Sequence, residues 1–187
     1  MKRKVGILLA LVMVIGLCSG CGIVHKVKID KKGNAKTCDE IYLTGEEAAE
    51  DTTGTAINGV DLSEENYKGS KKVDGVTYEV YAGKWEKMDT SSSDDENVDK
   101  YVSYSKNKFI MDIPASKEAT MEADESGMTD GMMNSMLSSY DFYKIKVTFP
   151  KKITKTNGKL SKDKKSVTFD FKDAYANNVK LYAYTNK

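Results

Sequence analysis

From Tyr143 onward the chain alternates with a period of two. Tyr143, Ile145, Val147 and Phe149 are separated by Lys144, Lys146 and Thr148; Val167, Phe169 and Phe171 by Thr168 and Asp170; Val179, Leu181 and Ala183 by Lys180 and Tyr182. Successive side chains of an extended backbone point to opposite sides, so each run has one apolar and one polar face. A helix would scatter the same residues around its circumference. One-sided burial is the habit of antiparallel sheets, because parallel ones are covered on both faces. The last third therefore reads as strands of an antiparallel sheet.

The same signal recurs upstream. His25 to Asp30 and Ala35 to Thr44 flank the turn residues Lys31-Lys32-Gly33-Asn34, and Val76, Tyr78, Val80 and Ala82 share one face of a further strand. Tyr101–Ser105 and Phe109–Ile113 form a second predicted hairpin, turning at Lys106-Asn107 and closed by Pro114. Thr44 with Glu47 makes a capping box for a short helix from Glu46 to Asp51. Met128, Met132 and Met136, spaced by four, share a face with Met133, Leu137 and Tyr140, which predicts an amphipathic helix over 129–140. Residues 52–69 and 89–99 read as loops. The expected class is α+β: an antiparallel sheet of about 7–8 strands with a short early helix and a Met-rich helix packed on it.

The other end of the chain carries an address. Lys2, Arg3 and Lys4 precede an apolar run from Val5 to Leu17, and Ser19-Gly20 precede Cys21. A basic start, an apolar core of this length and small residues before a cut resemble a secretory leader. A cysteine directly after a small residue fits the lipobox, in which it takes a diacylglyceryl thioether and becomes the new N-terminus. Cys21 follows Gly20 and fits, whereas Cys18 follows Leu17 and does not. The expected organisation is a signal peptide over 1–20 and a single extracytoplasmic domain over 21–187. An uncleaved membrane helix and a secreted, unlipidated form are the competing readings. With acyl chains on Cys21 the anchor is essentially irreversible, and the chain stops at Lys187 with no apolar tail to serve as another.

After the leader, 26 basic residues face 28 acidic ones, and all 26 are lysine. Without arginine, bidentate phosphate or carboxylate clamps and base readout in nucleic acid are disfavoured. Residues 141–187 hold twelve lysines and four acids, a local charge of +8 that suits anionic headgroups or wall polymers, or else marks solvated strand faces. Within that stretch Lys151, Lys152 and Lys155 are the expected membrane-facing residues. Cys38 alone remains once Cys21 is used by lipid, so no intrachain disulfide is available.

Three segments together resemble the closing part of LppM-like bacterial surface lipoproteins: Phe142 to Pro150 with its Phe-Pro end, Ile153 to Leu160 with Thr156-Asn157-Gly158, and Ser166 to Phe171 with Phe169-Asp170. The early hairpin with Lys32-Gly33-Asn34, and Val73-Asp74-Gly75-Val76 before a strand, match the same layout. The resemblance implies an envelope domain associated with lipid or glycolipid and no catalytic residues. Lys151-Lys152 depart from the small residue usual after the Phe-Pro.

Chemistry is otherwise sparse. His25 is the only histidine, and any Ser-His-Asp or Cys-His arrangement would have to use it beside the anchor. One histidine and one cysteine are too few for zinc. Asp94, Asp95, Glu96 and Asp99 fail the EF-hand template, which places Asp94 at its glycine and Lys100 at its glutamate. A glycosidase-like carboxylate pair stays open. No Gly-rich phosphate loop is present. Met132, Met133 and Met136 are candidates for an adaptable groove taking acyl chains, with core packing the alternative. The reading is a non-enzymatic, lipid-anchored surface protein without cofactor, metal or nucleic acid, held in the membrane by acylated Cys21 and binding an envelope lipid or polymer. A module that pairs with another envelope protein is the alternative.

Overall fold

The computed structural model describes residues 20–45, 56–88, 102–112, 137–172 and 180–186. In chain order the strands are β1 (Cys21–Ile29), β2 (Ala35–Thr44), β3 (Ala56–Ile57), β4 (Val60–Asp61), β5 (Tyr67–Val73), β6 (Val76–Ala82), β7 (Glu86–Lys87), β8 (Val102–Ser105), β9 (Lys108–Asp112), β10 (Phe142–Thr148), β11 (Ile153–Thr156), β12 (Lys159–Leu160), β13 (Ser166–Asp170) and β14 (Lys180–Thr185). An eight-stranded sheet runs β12-β13-β10-β1-β2-β6-β5, with β7 pairing the start of β2; β11-β14-β9-β8 form a second sheet and β3-β4 a small hairpin.

The α+β expectation is overturned. Among the described residues helical backbone is confined to Gly45, 137–139 and 171–172, and the architecture is mostly β. Alternation reports that one face of a strand is covered but not what covers it. Here the cover is a second sheet. The predicted helix over 46–51, the loop over 89–99 and the Met-rich stretch as far as Met136 lie outside the described residues. The eight-stranded sheet is also not purely antiparallel, because β1 and β10 pair in parallel, Gly22 opposite Phe142 through Lys28 opposite Thr148.

The odd-numbered residues of β1 mark the face that the second sheet covers. Val27 and Ile29 join Ala35, Ile145, Val147, Phe149, Val167 and Phe169 from the large sheet, and Val102, Phe109, Met111, Ile153, Leu181 and Ala183 from the small one. Phe109 and Phe169 stack across the layers with ring centroids 6.5 Å apart. Nearer the start of β1, Cys21 and Ile23 pack with Ile41 and Leu43 under Val60 and Leu62 at the β3–β4 hairpin. That hairpin turns on Asn58-Gly59, both with positive φ, and β5–β6 turns the same way on Asp74-Gly75. Asn-Gly and Asp-Gly suit such two-residue turns, since both central residues must be left-handed.

On the opposite face Tyr42, Tyr78 and Phe142 meet edge to face, with centroids 5.3–6.1 Å apart. The tip of the Phe142 ring meets Gly22, where a Cβ would come within 2.2 Å of its Cζ. Beside them Glu40 is 6% exposed. It pairs with Lys26, stands 3.4 Å from Lys71 Nζ and accepts the Tyr42 hydroxyl at 3.0 Å. Burial works to raise the Glu40 pKa, but its bond to Lys26, the charge of Lys71 and the Tyr42 hydroxyl outweigh it and hold the carboxyl below the usual glutamate value.

The chain crosses from the small sheet to the large one at Asn157-Gly158. Asn157 extends the β11–β14 ladder through its side chain, donating Nδ2 to Lys180 O at 2.7 Å and accepting Tyr182 N–H at 3.0 Å. Gly158 then passes so close to the core that a Cβ would lie 2.5 Å from Val167 and 2.6 Å from Phe169. Gly158→Ala is therefore expected to lower unfolding stability by about 1–3 kcal/mol, the usual penalty of overpacking, measured by urea unfolding. A variant as stable as the parent refutes the tight crossing.

A group with a depressed native pKa adds stability that is complete above its unfolded value and lost as pH falls through the native one. For Glu40 the loss begins below the ordinary value of 4.5. The stability of the parent is expected to fall more steeply than that of Glu40→Gln between pH 6 and pH 3. Parallel curves would contradict this.

Candidate functional site

Because β1 and β10 run in parallel, both start at one pole of the large sheet and end at the other. Cys21 and Asp141 share the first pole. The Asp141 N–H donates to Cys21 O at 2.7 Å, the Thr44 N–H donates to Gly20 O at 3.1 Å, and the Tyr78 hydroxyl donates to the Asp141 carboxylate at 2.7 Å. Burial and the adjacent Asp141 push the Tyr78 phenol up to about 12. Cys21 is 0% exposed, its thiol sealed among Ile23, Ile41, Leu43, Val60 and Leu62. The turn Asp74-Gly75 and the exposed Val76 stand at the same pole, since Tyr78 pairs with Thr44.

The second pole is built from turns. Asp30 organises the β1–β2 turn by accepting the N–H groups of Lys32 at 2.7 Å and Asn34 at 3.0 Å, and the Asn34 side chain at 2.9 Å. Asp163 organises the β12–β13 turn by accepting the Ser161 hydroxyl at 2.5 Å and the Lys165 N–H at 3.0 Å. Hydrogen bonding, from the Asn34 side chain first for Asp30 and from Ser161 first for Asp163, holds both carboxyls below the usual aspartate value. The β10–β11 connection is sewn to the β12–β13 turn: Phe149 N–H donates to Lys165 O at 2.9 Å and Ile153 N–H to Lys164 O at 2.7 Å. Lys151 and Lys152 are thus brought beside Lys164 and Lys165. Lys155 lies one strand further along, its Nζ 5.8 Å from the Tyr182 ring centroid.

Cys21 and Lys151-Lys152 therefore stand at opposite ends of the sheet. β1 spans nine residues, about 30 Å at roughly 3.3 Å each. At physiological ionic strength fields fade over about 8 Å, so the charge of those lysines is screened out before it reaches the Cys21 pole. Met132, Met133 and Met136 lie outside the described residues.

A polar trio unforeseen from the sequence joins the layers midway. His25 Nδ1 lies 2.6 Å from Asp39 Oδ1, and Asn58 Nδ2 donates to Asp39 Oδ2 at 3.0 Å. His25 falls between the two apolar clusters on its face of β1, and Asn58 brings in the β3–β4 hairpin. The register comes from a three-residue loop over Lys31–Gly33, with Asp30 bonded to Asn34, which sets Ile29 opposite Ala35 and hence His25 opposite Asp39. Cys38 is buried on β2, where its thiol donates to Gly83 O at 3.2 Å and burial raises its pKa. Among the described residues no three His, Cys, Asp or Glu side chains cluster to hold a metal, and no helix is long and apolar enough to cross a membrane.

No protein-family model matches the sequence, and no curated protein is significantly similar to it. The NMR structure of the folded domain of LppM from Mycobacterium tuberculosis is similar at a TM-score of 0.38 and 12% identity, over 93% of this chain and 96% of that one. A likeness at that level carries no argument about function.

The buried Cys21 seat has a direct test. In the folded, unacylated chain carrying Cys18→Ser and Cys38→Ser, the Cys21 thiol is expected to react with iodoacetamide at least about 100-fold more slowly than in urea, because reaction waits on opening of the sheet. Equal rates would place the thiol in solvent.

Proposed function

We propose that this chain is a non-enzymatic protein held at the outer face of the cytoplasmic membrane by acyl chains on Cys21, where its folded part contacts an anionic lipid, glycolipid or polymer of the envelope. The observation that supports this most is the join between leader and fold. The basic, apolar and small segments of 1–20 lead into Cys21, and Cys21 is already the first residue of β1. No spacer separates anchor from domain.

A thioether bearing two acyl chains does not fit a seat sealed on all sides. Acylated Cys21 therefore leaves the end of β1 with its chains directed past Thr44 into the bilayer, and the domain rests on that pole. Cleavage before Cys21 also removes the Gly20 carbonyl that accepts from Thr44. The non-enzymatic part of the reading draws on His25, the single histidine, which is buried on β1.

Cells expressing the protein and fed an alkynyl palmitate analogue provide the test. Wild type and Cys18→Ser are expected to carry the label on a chain lacking residues 1–20, and Cys21→Ser to carry none. An unlabelled wild type that retains its leader overturns the proposal. The reading as a protein-interaction module draws on Trp85, 47% exposed, and on the Tyr182–Tyr184 pair at 5.9 Å on β14. In-cell photocrosslinking from position 85 that recovers one dominant protein would favour it.

A further inference from the structure

The pole opposite Cys21 gathers lysines from four separate turns. Lys31 and Lys32 come from β1–β2, Lys151 and Lys152 from β10–β11, and Lys162, Lys164 and Lys165 from β12–β13. The β8–β9 turn adds Lys106, whose backbone N lies 3.2 Å from where a Cβ on Gly33 would stand, so the first and last of these turns touch. All eight side chains are exposed. Among the described residues no ion pair involves Lys31, Lys32, Lys106, Lys152, Lys164 or Lys165. The acids of these turns, Asp30 and Asp163, are turned onto backbone N–H groups and neighbouring side chains of their own loops.

We infer that this pole is a binding surface for a linear polyanion with a phosphate charge at each repeat, lying above the membrane and distinct from the headgroups of the leaflet that holds Cys21. The inference rests on the anchor reading for its orientation alone. Ammonium groups are compact point charges that take phosphate oxygens without demanding a bidentate geometry. Spread over four turns, they match a flexible chain with one charge per repeat better than a single phosphate. Apart from the buried Phe149, the four turns carry no aromatic ring, so the base stacking that single-stranded nucleic acid uses is not offered there. The headgroup source is disfavoured by distance, since the leaflet at the Cys21 pole lies several screening lengths away.

The full chain, reconstituted into phosphatidylcholine nanodiscs, is titrated with inorganic polyphosphate and separately with phosphatidylglycerol vesicles. Polyphosphate is expected to bind, and Lys151→Gln/Lys152→Gln/Lys164→Gln/Lys165→Gln to weaken it at least about 10-fold while lowering the log–log salt slope by roughly 3, near 0.7 per charge removed. Lys31→Gln/Lys32→Gln/Lys106→Gln, drawn from different loops, is expected to weaken binding as well and guards against misfolding of the first variant. Lys68→Gln/Lys72→Gln on β5 is the control and leaves affinity unchanged. Wild-type affinity in both pole variants, no binding by the parent, or lysine-dependent capture of vesicles without polyphosphate overturns the inference. Cys21→Ser is expected to bind polyphosphate normally, so fatty-acid labelling reports on the anchor and the titration reports on the pole.

Discussion

The parallel pairing of β1 with β10 is the contact on which the rest of the structure depends. It joins the first strand to one that starts more than a hundred residues later, and it places the N-terminal hairpin and the C-terminal segments in one sheet. Its direction also fixes polarity. Both strands start at the Cys21 pole, so the turn directly after each of them is delivered to the other end. Had β10 paired antiparallel to β1, Lys151 and Lys152 would have stood beside Cys21 and the two chemical ends of the molecule would have merged.

Polar ties reinforce that apolar frame at a few points. His25, Asp39 and Asn58 connect the β3–β4 hairpin to the middle of the large sheet, and Glu40 gathers Lys26, Lys71 and Tyr42 on the far face. A buried carboxylate of this kind is a weak source of net stability but a strong source of register, because displacing one partner strands a charge. Asn157 works the same way at lower stakes, continuing a ladder with its side chain where the backbone turns off toward the other layer.

Strand existence was legible wherever the period-two pattern was long: β1, β2, β6, β8, β9, β10, β13 and β14 all fall close to where alternation put them. Their partners were not. Alternation over Phe109–Ile113 and 179–184 is equally compatible with one wide sheet under helices and with two stacked sheets, since both leave one face dry. The Asn58-Gly59 turn was a readable signal inside a stretch taken as loop, obscured by strands of two residues each. The four turn residues read over 31–34 would set His25 opposite Glu40, and only the tighter three-residue loop brings it to Asp39, while the gathering of Lys31, Lys106, Lys151 and Lys164 at one end depends on long-range pairing that no local pattern carries. Cys21 was legible as a motif, and its seat in the core was not.

The chain is made and delivered N-terminus first, so the residues of β1 and β2 are available for pairing well before those of β10. During that interval β1 is an open edge with Ile23, Val27 and Ile29 on one side and an unpaired row of backbone groups along its length. Such edges recruit strands from other copies. The Lys26 and Lys28 side chains on the opposite side of the strand are then its only local deterrent to mispairing, and correct closure is delayed until the late strand arrives.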